Sequence, residues 1–175
     1  MKSLILSLLR YISLPIALLY GLVVAIRNKF YDSGIFSSIE FSLPVICVGN
    51  ITVGGTGKSP HIEYLIELLK SNYQLATLSR GYKRYSRGFK LANDQSDARD
   101  IGDEPFQFKR KYPGIEVCVA EERMTAIPQL LQQRPQVQII LLDDAFQHRT
   151  VKAGLNILLT DYGRLYTRDH IMPFG

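Results

Sequence analysis

From residue 43 onward, short runs of Val, Ile and Leu alternate with amphipathic stretches. The runs Pro44–Val48, Gln74–Ser79, Ile115–Ala120, Val137–Leu142 and Leu155–Thr160 are strand-length and lack strict polar–apolar alternation, as parallel strands covered on both faces do. Between them, Ile62, Leu65, Ile66 and Leu69 fall on one helical stripe behind Pro60, a proline well placed for a first turn. A second helix is predicted from Glu104-Pro105 and a third over Arg123–Gln133, despite Pro128. Strands alternating with helices predict an α/β fold, a parallel sheet flanked by helices. The polar stretch Lys83–Arg99 is expected to be a mobile surface loop.

The pattern before residue 40 differs. Met1–Tyr31 carries Lys2, Arg10, Arg27 and Lys29 and no acid before Asp32, and the 16 residues Tyr11–Ile26 are uncharged. As a helix this run is about 24 Å long, short of a ~30 Å hydrocarbon core. No small-residue cleavage site follows it, which argues against a signal peptide. A membrane span needs help from the apolar flank Met1–Leu9, and a helix buried in the protein's own core remains an alternative. An interfacial helix with cationic ends on acidic headgroups fits best. The expected organisation is a membrane-associating helix over residues 1–31 and a core over 40–175. After its final strand the chain runs YGRLYTRDHIMPFG and stops, which reads as a core cut short of a second lobe or as a frayed tail.

Composition narrows the partners. With 175 residues, 46% hydrophobic and 21% charged, the chain suffices for one ordinary domain and is not disordered. Mean hydropathy of +0.01 excludes a multi-span membrane protein. Basic residues outnumber acids 21 to 16, for a net charge of +5, and the isoelectric point near 9.2 points to anionic partners. Nucleic acid is not expected, because aromatics and cations are not interleaved in a stacking pattern. Cys47 and Cys118 lie in apolar runs, as buried reduced thiols do, and no Cys/His cluster offers a zinc site.

Four segments carry chemistry. In VICVGNITVGGTGKSP a strand feeds a glycine-rich turn and then a helix, the context in which backbone amides and a helix N-terminus hold phosphate. There Thr52, Val53, Gly54, Gly55, Thr56 and Gly57 would wrap a nucleotide's phosphates. Lys58 would reach the β- and γ-phosphates, and the Ser59 hydroxyl would hold Mg²⁺. The first glycine of GxxxxGK[ST] is replaced by Thr52. In VQIILLDDAFQHR, Asp143 and Asp144 end an apolar strand as a Walker B carboxylate does, on the metal side of such a site; the alternative is a helix N-cap. In GDEP, Asp103 is either the carboxylate that orients and deprotonates an acceptor hydroxyl or an N-cap. In SRGYKR, Arg80 and Tyr82 suit a phosphorylated or sugar substrate, as do Arg123 and His148 elsewhere. The bland readings are a solvated basic loop and a structural histidine; His61 takes the same default.

Together GNITVGGTGKSP, SRGYKR, GDEP, DDAFQHR and RDHIMPFG resemble the tetraacyldisaccharide 4'-kinase family, the lipid A 4'-kinases, over essentially the whole chain. The resemblance implies a P-loop NTPase-like kinase with a hydrophobic N-terminal helix and a smaller C-terminal lobe. It implies transfer of the ATP γ-phosphate, with Mg²⁺, to the 4'-hydroxyl of an acylated glucosamine disaccharide 1-phosphate, forming a lipid A precursor. The expected location is the cytoplasmic face of the bacterial inner membrane, peripheral or monotopic. Thr52–Ser59 would be the ATP loop, Asp103 the catalytic carboxylate, and Asp143 and Asp144 the magnesium-side acids. The family's DDGFQHR is DDAFQHR here and SRGYGR is SRGYKR, so Ala145 and Lys83 stand at glycine positions. Ala145 is expected to restrict the turn after the acids. Family members are about twice this length, and the histidine they pair with the catalytic aspartate would lie in the other half. Such a chain is expected to bind nucleotide and turn over poorly.

Two rival readings belong to other classes. A GTPase-like switch needs [NT]KxD after a later strand, and Asn28-Lys29-Phe30-Tyr31 fails at its fourth position and precedes the glycine-rich turn. A non-catalytic peripheral membrane protein would carry the same loop as a vestige.

Overall fold

The computed structural model describes residues 2–50, 57–146, 149–163 and 165, with side chains from residue 14 onward. The chain divides into two compact units, Met1–Ser38 with the segment from Asp161, and Ile39–Thr160.

The larger unit is built on six strands, β1 (Val45–Asn50), β2 (Leu75–Ser79), β3 (Lys90–Leu91), β4 (Glu116–Val119), β5 (Ile139–Asp143) and β6 (Leu155–Leu159). They lie in the order β3-β4-β2-β5-β1-β6. All pairings are parallel except β3 with β4. The five apolar runs read from the sequence are the five parallel strands. β2 and β5 are buried along their whole length, which is why their sequences are apolar at consecutive rather than alternate positions.

Each face of the sheet has its own core. On one side Ile62 and Ile66 of α2 (Lys58–Leu69) and Phe108 of α4 (Asp103–Lys111) pack on Val48, Leu75, Val117 and Leu141. On the other, Ala126, Ile127 and Leu130 of α5 (Arg123–Gln133) cover Cys47, Leu78, Cys118 and Leu142. α4 opens on Asp103 and Glu104 and closes on Lys109, Arg110 and Lys111, complementing its dipole at both ends. Both cysteines are buried free thiols, and burial pushes the Cys47 thiol up to about 11.

The stretch Lys83–Arg99 departs from the expected loop. It contains edge strand β3, antiparallel to β4, and runs into the short helix α3 (Ala98–Ile101). Asp97 caps α3 by accepting from the Asp100 amide at 2.8 Å.

In the smaller unit, α1 spans Lys2–Asp32, 31 residues with Pro15 inside. The helix is longer than its uncharged run because both cationic flanks join it. Leu14–Asp32 is long and apolar enough to cross a membrane, and 6% of it is buried. Ile16, Leu18, Leu19, Leu22 and Val23 are all exposed.

At Gly49 β1 approaches the segment after β5 closely, since a Cβ there would lie 2.7 Å from the Phe146 Cβ. Gly49→Ala is expected to cost about 1–3 kcal/mol in chemical denaturation, through overpacking that no rotamer change relieves.

Candidate functional site

β1 and β5 are neighbours, with Val48 opposite Asp143, so the turn after β1 and the acids ending β5 leave the same edge side by side. Gly57, at φ 80°, turns the chain into α2 as its N-cap. Lys58 therefore opens the helix, and its ammonium donates to Asn50 Oδ1 at 3.1 Å and pairs with Asp144 Oδ1 at 3.5 Å. The neighbouring Ser59 hydroxyl donates to Glu104 Oε1, tying the start of α2 to the start of α4. Gln107 and Lys111 extend that seam by donating to Glu63 at 2.8 and 2.7 Å. Lys111 above all holds the Glu63 carboxyl below its ordinary range.

The electrostatic centre is Asp143. It is 2% exposed, and its Oδ1 has no hydrogen-bond partner among the described residues. Burial, reinforced by the nearby Glu104 and Asp144 charges, pushes its carboxyl up to about 7, against the pull of Lys58 and Arg123. Arg123 is also 2% exposed. It donates from Nη1 to the Glu121 carbonyl at 3.0 Å, while its Nε has no partner. Burial and then the Arg80 charge lower its basicity, and Asp144 and Asp143 oppose them. Two aspartates, Lys58, Glu104, Arg80 and Arg123 thus act on one another at one sheet edge.

Asp144 carries the backbone cost of the turn, at φ 51°, a conformation Asp tolerates better than most residues. Ala145 is buried and is not in the left-handed region, so the alanine imposes none of the expected restriction. Lys83 does stand at positive φ, 61°; a glycine there would be unstrained.

The loop after β2 is tied down from beneath. Arg84 Nη2 donates to Glu121 Oε1 and to the Gly88 carbonyl, both at 2.7 Å, and Nη1 donates to Ser86 Oγ at 3.1 Å. Glu121 Oε2 in turn accepts from the Gly88 amide at 2.9 Å. Gly81 presses on the turn before α4: a Cβ on it would lie 2.6 Å from the Ile101 carbonyl oxygen, and one on Gly102 would lie 3.1 Å from the Gly81 backbone. SRGYKR and GDEP are thereby one packed structure.

Of the residues singled out in the sequence, Gly57, Lys58, Ser59, Asp143, Asp144, Arg80 and Arg123 come together at this edge. Asp103 is exposed in the first turn of α4. Gly102, not Asp103, is the N-cap there, which removes the capping alternative. Tyr82 projects outward, 76% exposed. Thr52, Val53, Gly54, Gly55, Thr56 and His148 lie outside the described residues. Asn28-Lys29-Phe30-Tyr31 is a stretch of α1 and not a loop. Glu104, Asn50 and Arg84 were not named individually, although each lies inside a motif singled out in the sequence: GDEP, GNITVGGTGKSP and SRGYKR.

The donors suit a hard cation. Ser59 Oγ, Glu104, Asp144 and the Asp143 oxygen unpartnered among the described residues are all oxygen donors of the kind Mg²⁺ prefers. No group of three His, Cys, Asp or Glu side chains among the described residues forms a ready metal cage.

A family model described as tetraacyldisaccharide-1-P 4'-kinase matches residues 9–175. The chain belongs to this family. The Flavobacterium johnsoniae tetraacyldisaccharide 4'-kinase is 57% identical over 97% of the chain and 50% of its own length. The Bacteroides thetaiotaomicron enzyme of the same name is 56% identical over 92% of the chain and 43% of its own length. The crystal structure of the "apo" form of LpxK from Aquifex aeolicus in complex with ATP superposes with a TM-score of 0.86 at 35% identity, covering 95% of the chain and 53% of that protein. This member of the tetraacyldisaccharide-1-P 4'-kinase family thus spans about half the length of the curated relatives it matches.

Asp143 makes stability pH-dependent. Its folded pKa lies above its unfolded one, so its contribution is full below about pH 4 and is lost as pH rises through about 7. Asp143→Asn is expected to be more stable than the parent at pH 8, by up to about 4 kcal/mol, with the gap closing at acid pH; urea titrations across that range check it. Arg84→Ala is expected to cost about 2 kcal/mol in the same assay, because it breaks a pair buried on one side only. Arg84→Lys restores the charge and not the fork, and is expected to recover little of the loss.

Proposed function

We propose that the chain is the nucleotide-binding half of a kinase that transfers the ATP γ-phosphate to the 4'-hydroxyl of an acylated glucosamine disaccharide 1-phosphate. The observation that carries this reading is the placement of Lys58 at the head of a helix, within 3.5 Å of an acid adjoining buried Asp143. The Flavobacterium and Bacteroides relatives are named for this activity, and the Aquifex neighbour is described in complex with ATP.

In this reading Thr52–Ser59 wraps the phosphates, and Lys58 exchanges its contacts with Asn50 and Asp144 for β- and γ-phosphate oxygens. Ser59, Asp143 and Asp144 would hold Mg²⁺, with Glu104 beside them; when bound, that ion neutralises charge on the phosphate oxygens. Asp103, exposed at the head of α4, orients the acceptor hydroxyl and takes its proton at a carboxylate oxygen. Arg123 and Arg80 offset the negative charge gathered at the edge, and Tyr82 and His148 are the proposed contacts to the acceptor. Residues 1–31 attach the chain to the cytoplasmic face of the bacterial inner membrane, where the acceptor resides. Residues 40–175 are the kinase core, completed by a second lobe.

The test is labelled ATP with Mg²⁺ and the acylated disaccharide 1-phosphate in detergent micelles, with the Flavobacterium johnsoniae relative as a positive control. Nucleotide binding by this chain is followed by calorimetry. Lys58→Ala is expected to weaken Mg·ATP binding and any transfer by at least about a hundredfold, while sedimentation with vesicles is unchanged. Unaltered nucleotide binding in that variant would refute the reading and favour a vestigial loop.

A further inference from the structure

The segment Arg80–Gly88 presents two different faces. Beneath, the Arg84 guanidinium is buried on Glu121, Gly88 and Ser86. The Ser86 hydroxyl donates to the Asp100 carbonyl, and the Tyr85 amide donates to the Arg99 carbonyl at 2.8 Å. Above, Tyr82 is exposed, Tyr85 is 82% exposed, and Lys83 and Arg87 lie open beside them. Neither cation has a carboxylate partner among the described residues. The Lys83 ammonium sits over the Tyr82 ring, 5.3 Å from its centre.

Outward tyrosines flanked by cations that meet no carboxylate among the described residues are the chemistry of a bilayer interface. The phenol ring sits at headgroup depth, and the cation meets anionic lipid. A small soluble anion fits less well. The hollow beside the loop, about 390 Å³ and lined by Arg80, Tyr82, Lys83, Arg84 and Glu121, already holds a carboxylate against its most buried cation. The hydrogen bonds beneath also fix the loop before docking, so little ordering entropy opposes it.

We propose that the loop 82–87 is a bilayer contact belonging to the core itself, additional to α1: Tyr82 and Tyr85 enter the headgroup region, and Lys83 and Arg87 pair with anionic headgroups. This stands on exposure and charge and does not depend on the phosphoryl-transfer reading.

The chain contains no tryptophan, so Tyr85→Trp in the full chain installs a single reporter at an exposed position. With vesicles of phosphatidylglycerol and phosphatidylcholine, its emission is expected to shift to the blue and to be quenched by lipids brominated near the headgroup. Tyr64→Trp, on the exposed face of α2, is expected to stay silent. Lys83→Gly and Arg87→Gln in the Tyr85→Trp background are each expected to weaken partition into anionic vesicles about fivefold at low salt. Neutral phosphatidylcholine vesicles should be insensitive to both changes. The proposal is overturned if the Tyr85→Trp emission does not move while the protein sediments with anionic vesicles. It is equally overturned if inorganic phosphate alone reproduces the shift, or if Tyr64→Trp responds as strongly.

Discussion

A carboxyl group removed from water at the end of a central strand requires compensating charge, and the surroundings of Asp143 supply it incompletely. Lys58 approaches from α2 and Arg123 from the start of α5, while Asp144 and Glu104 add negative charge nearby. The outcome is a group poised between protonated and charged forms near neutrality, with one oxygen unpartnered among the described residues. That poise depends on strand order. Only because β5 lies directly beside β1 do the acids and Lys58 share an edge. Perturbed acids of this kind concentrate where ligands bind.

Much of this architecture is legible in the chain because burial on both faces writes itself into consecutive apolar residues. β1, β2, β4, β5 and β6 appear at the expected runs, and α5 tolerates Pro128 as anticipated. β3 was illegible: Lys90-Leu91 is two residues in a polar stretch, and its strand character comes entirely from pairing with β4. The extent of α1 was legible, expected over residues 1–31 and observed over Lys2–Asp32, because its cationic flanks interrupt the uncharged run without carrying a helix-breaking residue.

The site was legible where chemistry is local and obscure where it is long-range. Lys58 and Ser59 follow from a contiguous turn-to-helix pattern. Glu104, in contrast, looks like an ordinary first-turn acid until Ser59, 45 positions earlier, is found against it. Arg84 hides among the cations of a basic motif, and only its contacts with Glu121 and Gly88 separate a buried strut from its exposed neighbours. The two glycine departures illustrate the same limit. Ala145 proved harmless because Asp144 takes the positive φ, whereas Lys83 occupies one itself. Sequence position alone does not say which residue of a turn bears the strain.

The contact between Gly81 and Gly102 has a consequence for how members of this fold can diverge. A side chain on Gly81 would run into the Ile101 carbonyl and one on Gly102 would crowd the Gly81 backbone, so the basic loop and the acidic turn form a single mechanical part with two separate stretches of code. Grafting one of them from a distant relative into this scaffold would import half of a matched joint. Exchange between homologues should succeed only when both stretches travel together.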